Sequence, residues 1–111
     1  MGQAVQYTVV LSDRACANLQ RARDFIGQQS PEAAERWYLS FLKALLRLEQ
    51  NPHAFSIAPE REKFEFELRQ FLFRTKSRRA NRALFRITEC KIEVLAIRRP
   101  GLPLITKSDL E

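Results

Sequence analysis

Ten of the nineteen lysines and arginines fall within residues 68–99: Arg69, Arg74, Lys76, Arg78, Arg79, Arg82, Arg86, Lys91, Arg98 and Arg99. Only Glu89 and Glu93 oppose them there, so this stretch carries +8 and the remainder of the chain −2. Arginine outnumbers lysine 14 to 5. A guanidinium stays charged at any physiological pH, and its planar fork matches the oxygens of phosphate and carboxylate. Concentrated in one stretch, it implies a polyanionic partner, either nucleic acid or an acidic protein. The plain alternative is a solvated face that keeps a small domain soluble.

Cleaving RNA is one chemistry such a face could perform. It needs a base for the 2′-hydroxyl proton, cations for the phosphorane and an acid for the leaving oxygen. Arginine serves the middle role and serves badly as the base. The conceivable proton carriers are His53, Lys76, Glu89, Lys91 and Glu93, and no spacing compels any of them. A phosphate-binding glycine loop, a nucleophile elbow and a zinc pattern are all missing from the sequence. With His53 as the single histidine, one chain cannot build a multi-histidine metal site, and no cofactor is expected.

These residues must be held by one domain, because 111 residues suffice for a single core. The longest apolar run is four residues, Val94 to Ile97, far short of the roughly 20 that a membrane span needs. It is also short of the roughly 7–15 of a secretory signal. The two cysteines, Cys16 and Cys90, lie far apart, and reduced thiols in a cytoplasmic protein are expected.

Residues 5–11 alternate as a strand, with Val5, Tyr7, Val9 and Leu11 on one face. Ser12 offers an N-cap to a helix over 13–28, with Ala15, Leu19, Ala22 and Ile26 on its stripe and Gly27 at its end. Ser30-Pro31-Glu32 starts a second helix that Asn51-Pro52 stops. The short join predicts an antiparallel helical hairpin. Trp37, Tyr38 and Phe41 form its aromatic stripe, either as core or as an edge offered to a partner. Residues 52–63 read as a loop broken by two prolines and the charge run Glu60-Arg61-Glu62-Lys63.

Three strand patterns follow, over 64–75, 81–88 and 92–98, joined by a basic connection at 76–80 and a turn at 89–91. A tail occupies 100–111. The expected fold is therefore α+β, in the order β-α-α-β-β-β. An N-terminal strand and an antiparallel helical hairpin pack on a small twisted antiparallel sheet. Period-2 geometry puts Arg82 and Arg86 on one sheet face with Leu84, and Ala83, Phe85 and Ile87 on the face toward the helices. If the first face is uncovered, it is an arginine-lined surface. Its arginines could instead form structural ion pairs with Glu65, Glu67 or Glu93.

Four stretches resemble one known family. They are LSDRA at 11–15, SPEAAERW at 30–37, the helix end Leu48-Glu49-Gln50-Asn51-Pro52, and the sheet run LRQFLF, NRALFRI and IEVLAIRR at 68–73, 81–87 and 92–99. In order and spacing these are similar to the RelE/ParE superfamily of toxins from type II toxin–antitoxin systems, also called plasmid stabilisation proteins. The resemblance covers nearly the whole chain. It implies a toxin held inactive, in a hetero-oligomer, by an acidic and partly disordered cognate antitoxin.

The RelE branch of that superfamily cuts messenger RNA on the ribosome, and the ParE branch inhibits DNA gyrase. Arg82 matches the sheet arginine that contacts the scissile phosphate in the RNA-cutting branch. Arg69 matches the arginine of the family's Leu-Arg pair, and Arg98 the one that ends the last strand. Arg99 stands where many relatives place a histidine. The paired lysines of the RNA-cutting branch and a tyrosine after the last strand have no match here. The resemblance is thus ParE-like rather than RelE-like.

The expected function is growth inhibition by grip on a protein such as gyrase. Arg69, Arg74, Lys76, Arg82, Arg86, Arg98 and Arg99 would meet the target or phosphate, and Trp37, Tyr38 and Phe41 the antitoxin. The alternative is a ribosome-dependent mRNA endonuclease in which Arg82 and Arg98 are catalytic. A second alternative is a non-toxic antitoxin-binding domain of the same fold.

Overall fold

A computed structural model describes residues 6–75 and 79–110. The elements run β1 (Thr8–Leu11), α1 (Asp13–Gln29), α2 (Pro31–Gln50), β2 (Arg69–Phe73), β3 (Asn81–Thr88) and β4 (Lys91–Arg98), with short 3₁₀ turns at Pro52–Ala54, Arg61–Lys63 and Lys107–Leu110. The strands form one sheet in the order β1-β4-β3-β2. β2, β3 and β4 are an antiparallel meander, and β1 joins the β4 edge in parallel, which makes the sheet mixed.

Two serines punctuate the hairpin. Ser12 Oγ accepts the Ala15 N–H at 3.0 Å and starts α1. Ser30 closes α1 through its own N–H to the Ile26 carbonyl, and opens α2 by accepting the Ala33 N–H on Oγ at 3.1 Å. The first helix thus runs through Gly27 to Gln29, because the extended conformation of Ser30, rather than a glycine, ends it.

The helices cover one face of the sheet. Trp37, Phe41, Ala44 and Leu48 of α2 meet Phe71, Phe73, Ala83, Phe85, Ile92 and Val94 in a buried cluster. Its aromatic centre is dense: Trp37 and Phe41 lie 5.5 and 5.4 Å from the Phe73 ring. Offset and tilted contacts of this kind add to plain burial.

The opposite face is also covered, contrary to the open surface that alternation alone allowed. Leu84 and Ala96 are buried there under Ala58, Leu68 and Ile105, with Phe64, Phe66, Leu95 and Leu110 packed around them. The loop before β2 and the C-terminal tail thus form a third layer. A bulge supplies part of this second core. Leu84 faces Ala96 and Phe85 faces Val94, so Leu95 is the extra residue. The bulge reverses the alternation, turning both Leu95 and Ala96 to the tail side. It also explains the four-residue apolar run, which serves both cores. Ser12 Oγ donates to the Leu95 carbonyl, 3.2 Å away, so the α1 cap also ties down the bulge.

The first of the three strand patterns, over 64–75, is shorter than its sequence suggests, forming strand only over Arg69–Phe73. Residues 64–68 are not paired as strand; Phe64 and Phe66 turn onto the second core instead. The outer edge of β2 starts beside residues 56–58. Gln70 N–H donates to Ser56 at 2.9 Å, and Ala58 N–H donates to Leu68 at 2.8 Å.

Candidate functional site

Arg82 stands in the middle of the basic stretch, and both of its terminal nitrogens are engaged. Its Nη1 and Nη2 donate to the two Glu60 carboxylate oxygens at 2.9 and 2.6 Å, and Nη1 also donates to Gln70 Oε1 at 2.9 Å. Glu60 is 1% exposed. Its Oε2 takes a further N–H from Ile105 at 3.0 Å, which fastens the tail. Burial works to raise the Glu60 carboxyl. The hydrogen bonds from Arg82 and Ile105 and the charge of Arg82 outweigh it, and hold the group below the ordinary value of 4.5.

The other sheet arginines are also spoken for. Arg86 pairs with Glu93 at 3.2 Å and lies over the Phe66 ring, 4.9 Å from its centroid. Arg69 pairs with Glu67 at 2.7 Å and donates to the Phe55 carbonyl at 2.6 Å. Arg98 donates to the Pro103 carbonyl at 2.6 Å, and Arg99 stacks over the half-exposed Phe25 at 4.2 Å. Arg74 is exposed at the end of β2, and Lys76 lies outside the described residues. Three guanidiniums, those of Arg82 and Arg86 on the tail side and of Arg69 on the helix side, therefore have carboxylate partners, and two of those carboxylates come from outside the basic stretch. A fork already closed on a carboxylate offers little to a phosphate.

Of the aromatic stripe, Trp37 and Phe41 are core residues, 4% and 1% exposed. Tyr38 is half-buried beneath Arg23, whose guanidinium sits 3.9 Å from its ring centroid. Only Tyr38 of these three retains surface for a partner. The candidate proton carriers are dispersed. Glu93 is paired to Arg86, and exposed His53 meets the Tyr7 ring edge-on at 6.2 Å. His53 does share a shallow cleft with Glu67, Arg86 and Glu89, a grouping that its position in a proline-broken loop did not suggest.

Sequence reasoning missed Glu60. It belongs to a run of four charges that reads as solvated, and Glu62 in the same run is exposed. The one available signal was electrostatic: a sheet arginine beside apolar neighbours requires an acid somewhere.

A second feature lies at the β2 edge of the sheet. A groove of about 880 Å³ runs between α2 and β2. Leu39, Leu46 and Leu72 line it and are 46%, 61% and 42% exposed.

A family model described as the ParE toxin of the type II toxin–antitoxin system parDE matches residues 9–100. The chain belongs to the ParE toxin family. No curated protein matches it. Among solved structures, a chain of the chromosomal ParDE toxin–antitoxin system from P. aeruginosa is similar in fold, with a TM-score of 0.64 at 21% identity. That likeness covers 86% of this chain and 98% of the other. The match to the ParE family takes in most of β1, the hairpin and all of β2, β3 and β4. The residues after 100 lie beyond it, including Ile105, which completes the second core of this ParE-family toxin. Among the described residues no helix is long and apolar enough to cross a membrane.

Proposed function

We propose that this toxin acts by gripping a protein target, DNA gyrase in the first instance, and is neutralised by a cognate acidic antitoxin in the cytoplasm. The observation that carries this reading is the closed fork of Arg82. The arginine that a ribonuclease of this superfamily would turn on the scissile phosphate is bound through two nitrogens to a carboxylate that is 1% exposed. Arg86 and Arg69 are likewise paired, and no histidine stands at the end of β4. Family membership supports the toxin–antitoxin setting, and the engaged arginines favour binding over cleavage.

The test is a supercoiling assay with purified gyrase, ATP and relaxed plasmid. Inhibition that rises with toxin and is relieved by stoichiometric antitoxin is the expected outcome. Undiminished supercoiling at a hundredfold molar excess of correctly folded toxin refutes the target assignment. Cleaved mRNA on stalled ribosomes in its place would return the chain to the catalytic branch.

A further inference from the structure

We infer that the outer end of β4, where it meets α1, binds a nucleoside monophosphate, with the phosphate in a cleft between Arg21, Arg98 and Arg99 and the base on Phe25. This place is separate from the closed Arg82 pair, and it lies away from the groove beside β2, which occupies the other edge of the sheet.

The strand order leaves room for it. Pairing of β1 with β4 ends at Leu11 and Val94, so the edge of β4 beyond that point is met by α1 instead. Asn18 Oδ1 accepts the Ile97 N–H at 3.1 Å, which fixes the amide and leaves its Nδ2 hydrogens as donors. Arg21 and Phe25 follow Asn18 by three and seven residues, on the same stripe of the helix. A cleft of about 90 Å³ opens here, lined by Asn18 and Arg21 from α1 and by Arg98 and Arg99 from the end of the strand. It is far smaller than the roughly 300–1,000 Å³ of a site for a whole organic ligand, and it suits one phosphate group.

The electrostatics call for an anion. Three guanidiniums line the cleft and no carboxylate does, in contrast to the paired forks of Arg69, Arg82 and Arg86. Arg98 donates from Nη2 to the neutral Pro103 carbonyl, and its Nε is buried with no hydrogen-bond partner among the described residues. An unpaired buried donor on a charged group is unfavourable until an acceptor reaches it. Asp109 feels the charges of Arg98 and Arg14, but it accepts from the Thr106 N–H and hydroxyl and stands outside the cleft. A phosphate monoester brings about −1.5 to −2 charge to these cations, where a carboxylate brings one.

Phe25 indicates what the phosphate is attached to. Its ring is 50% exposed, and the Arg99 guanidinium lies over it, 4.2 Å from the centroid. Arg99 therefore joins the two halves of the site, lining the cleft and stacking on the ring. Aromatic rings and guanidinium planes are the surfaces on which nucleobases stack. Inorganic phosphate would use the cleft and leave this shelf bare; a phosphate carrying a base uses both.

The probes are AMP, adenosine and inorganic phosphate, each titrated at low ionic strength into the isotope-labelled full chain and followed by NMR. With AMP, the expected shifts are at the amides of Asn18, Arg21, Ile97 and Arg99, at the Arg98 Nε–H and at the Phe25 ring. Inorganic phosphate should bind roughly tenfold more weakly, because it lacks the stacked base. Adenosine should leave the Arg98 Nε–H unmoved. Arg21→Ala, at an exposed position, should weaken AMP and inorganic phosphate alike, and Phe25→Ala should weaken AMP alone. Lys43→Ala on α2 is the control for a merely basic surface and should change neither. Equal affinity for AMP and inorganic phosphate, loss of binding in Lys43→Ala equal to that in Arg21→Ala, or shifts spread over every basic face each overturn the assignment. A dinucleotide with a 5′-phosphate separates two sources of the same chemistry. Affinity equal to that of AMP assigns the site to the phosphorylated end of a strand, and binding of AMP alone assigns it to a free nucleotide.

Discussion

Replacing Arg82 with alanine strands the Glu60 carboxylate. That group is buried, and of its three hydrogen bonds only the one from Ile105 N–H survives. Removing one partner of a buried ion pair typically costs about 3–5 kcal/mol, because the remaining charge is left without compensation. For a chain of this length about 4 °C of melting temperature accompanies each kcal/mol, so the midpoint should fall by roughly 12–20 °C.

The sign of the pH dependence supplies an independent check. In the wild type the folded Glu60 carboxyl lies below its ordinary 4.5, so its contribution is present above that pH and is lost as pH falls through the folded value. In Arg82→Ala burial acts with little opposition and raises the same carboxyl. The variant should then be least handicapped in acid, and its deficit should grow as pH rises through the new value. Urea unfolding from pH 4 to 8 measures both. A loss below about 1 kcal/mol at pH 7, as for a surface arginine, would show that Glu60 is not held by Arg82 and that the guanidinium is available for other work. A deficit that does not vary with pH would refute the electrostatic reasoning even if its size were right.

Two further substitutions probe the frame that holds these groups. Ser30→Ala removes the Oγ that accepts the Ala33 N–H, and should lower stability by about 1 kcal/mol in chemical denaturation, with Ser30→Gly milder. Gly101→Ala forces a side chain at φ +84° and brings its methyl against the Arg79 guanidinium. The expected cost is roughly 1–2 kcal/mol by the same assay, and Gly101→Asn should recover part of it.

The hairpin was legible because its signals are local. Ser12, Ser30, Pro31 and Asn51-Pro52 act within a turn of the chain, and the apolar stripes repeat at the helical period. The meander was legible for the same reason, since short connections leave adjacent strands little choice. The second core was not. Leu84 reads as half of an alternating strand whichever layer covers it, and its covers come from Ala58 and Ile105, far off in sequence. The bulge at Leu95 hid behind four consecutive apolar residues that look like a fully buried strand. Arg82 was recognised as a sheet arginine pointing away from the helices, and that placement is correct. Its partner escaped notice because Glu60 and Glu62 are indistinguishable until the chain is folded and the two pairing segments, 22 residues apart, meet.

The Glu60–Ile105 bond also sets an order of completion. A polypeptide leaves the ribosome from its N-terminus, so the hairpin and all four strands exist before Ile105 does. Until the tail arrives, Leu84 and Ala96 lack part of their cover, and Glu60 lacks the third of its donors. A copy that stops short, or is clipped after β4, carries an oily, half-finished sheet face of the kind that proteases and chaperones seize. Residues 105–110 therefore act late, closing over a sheet face that the strands alone leave oily.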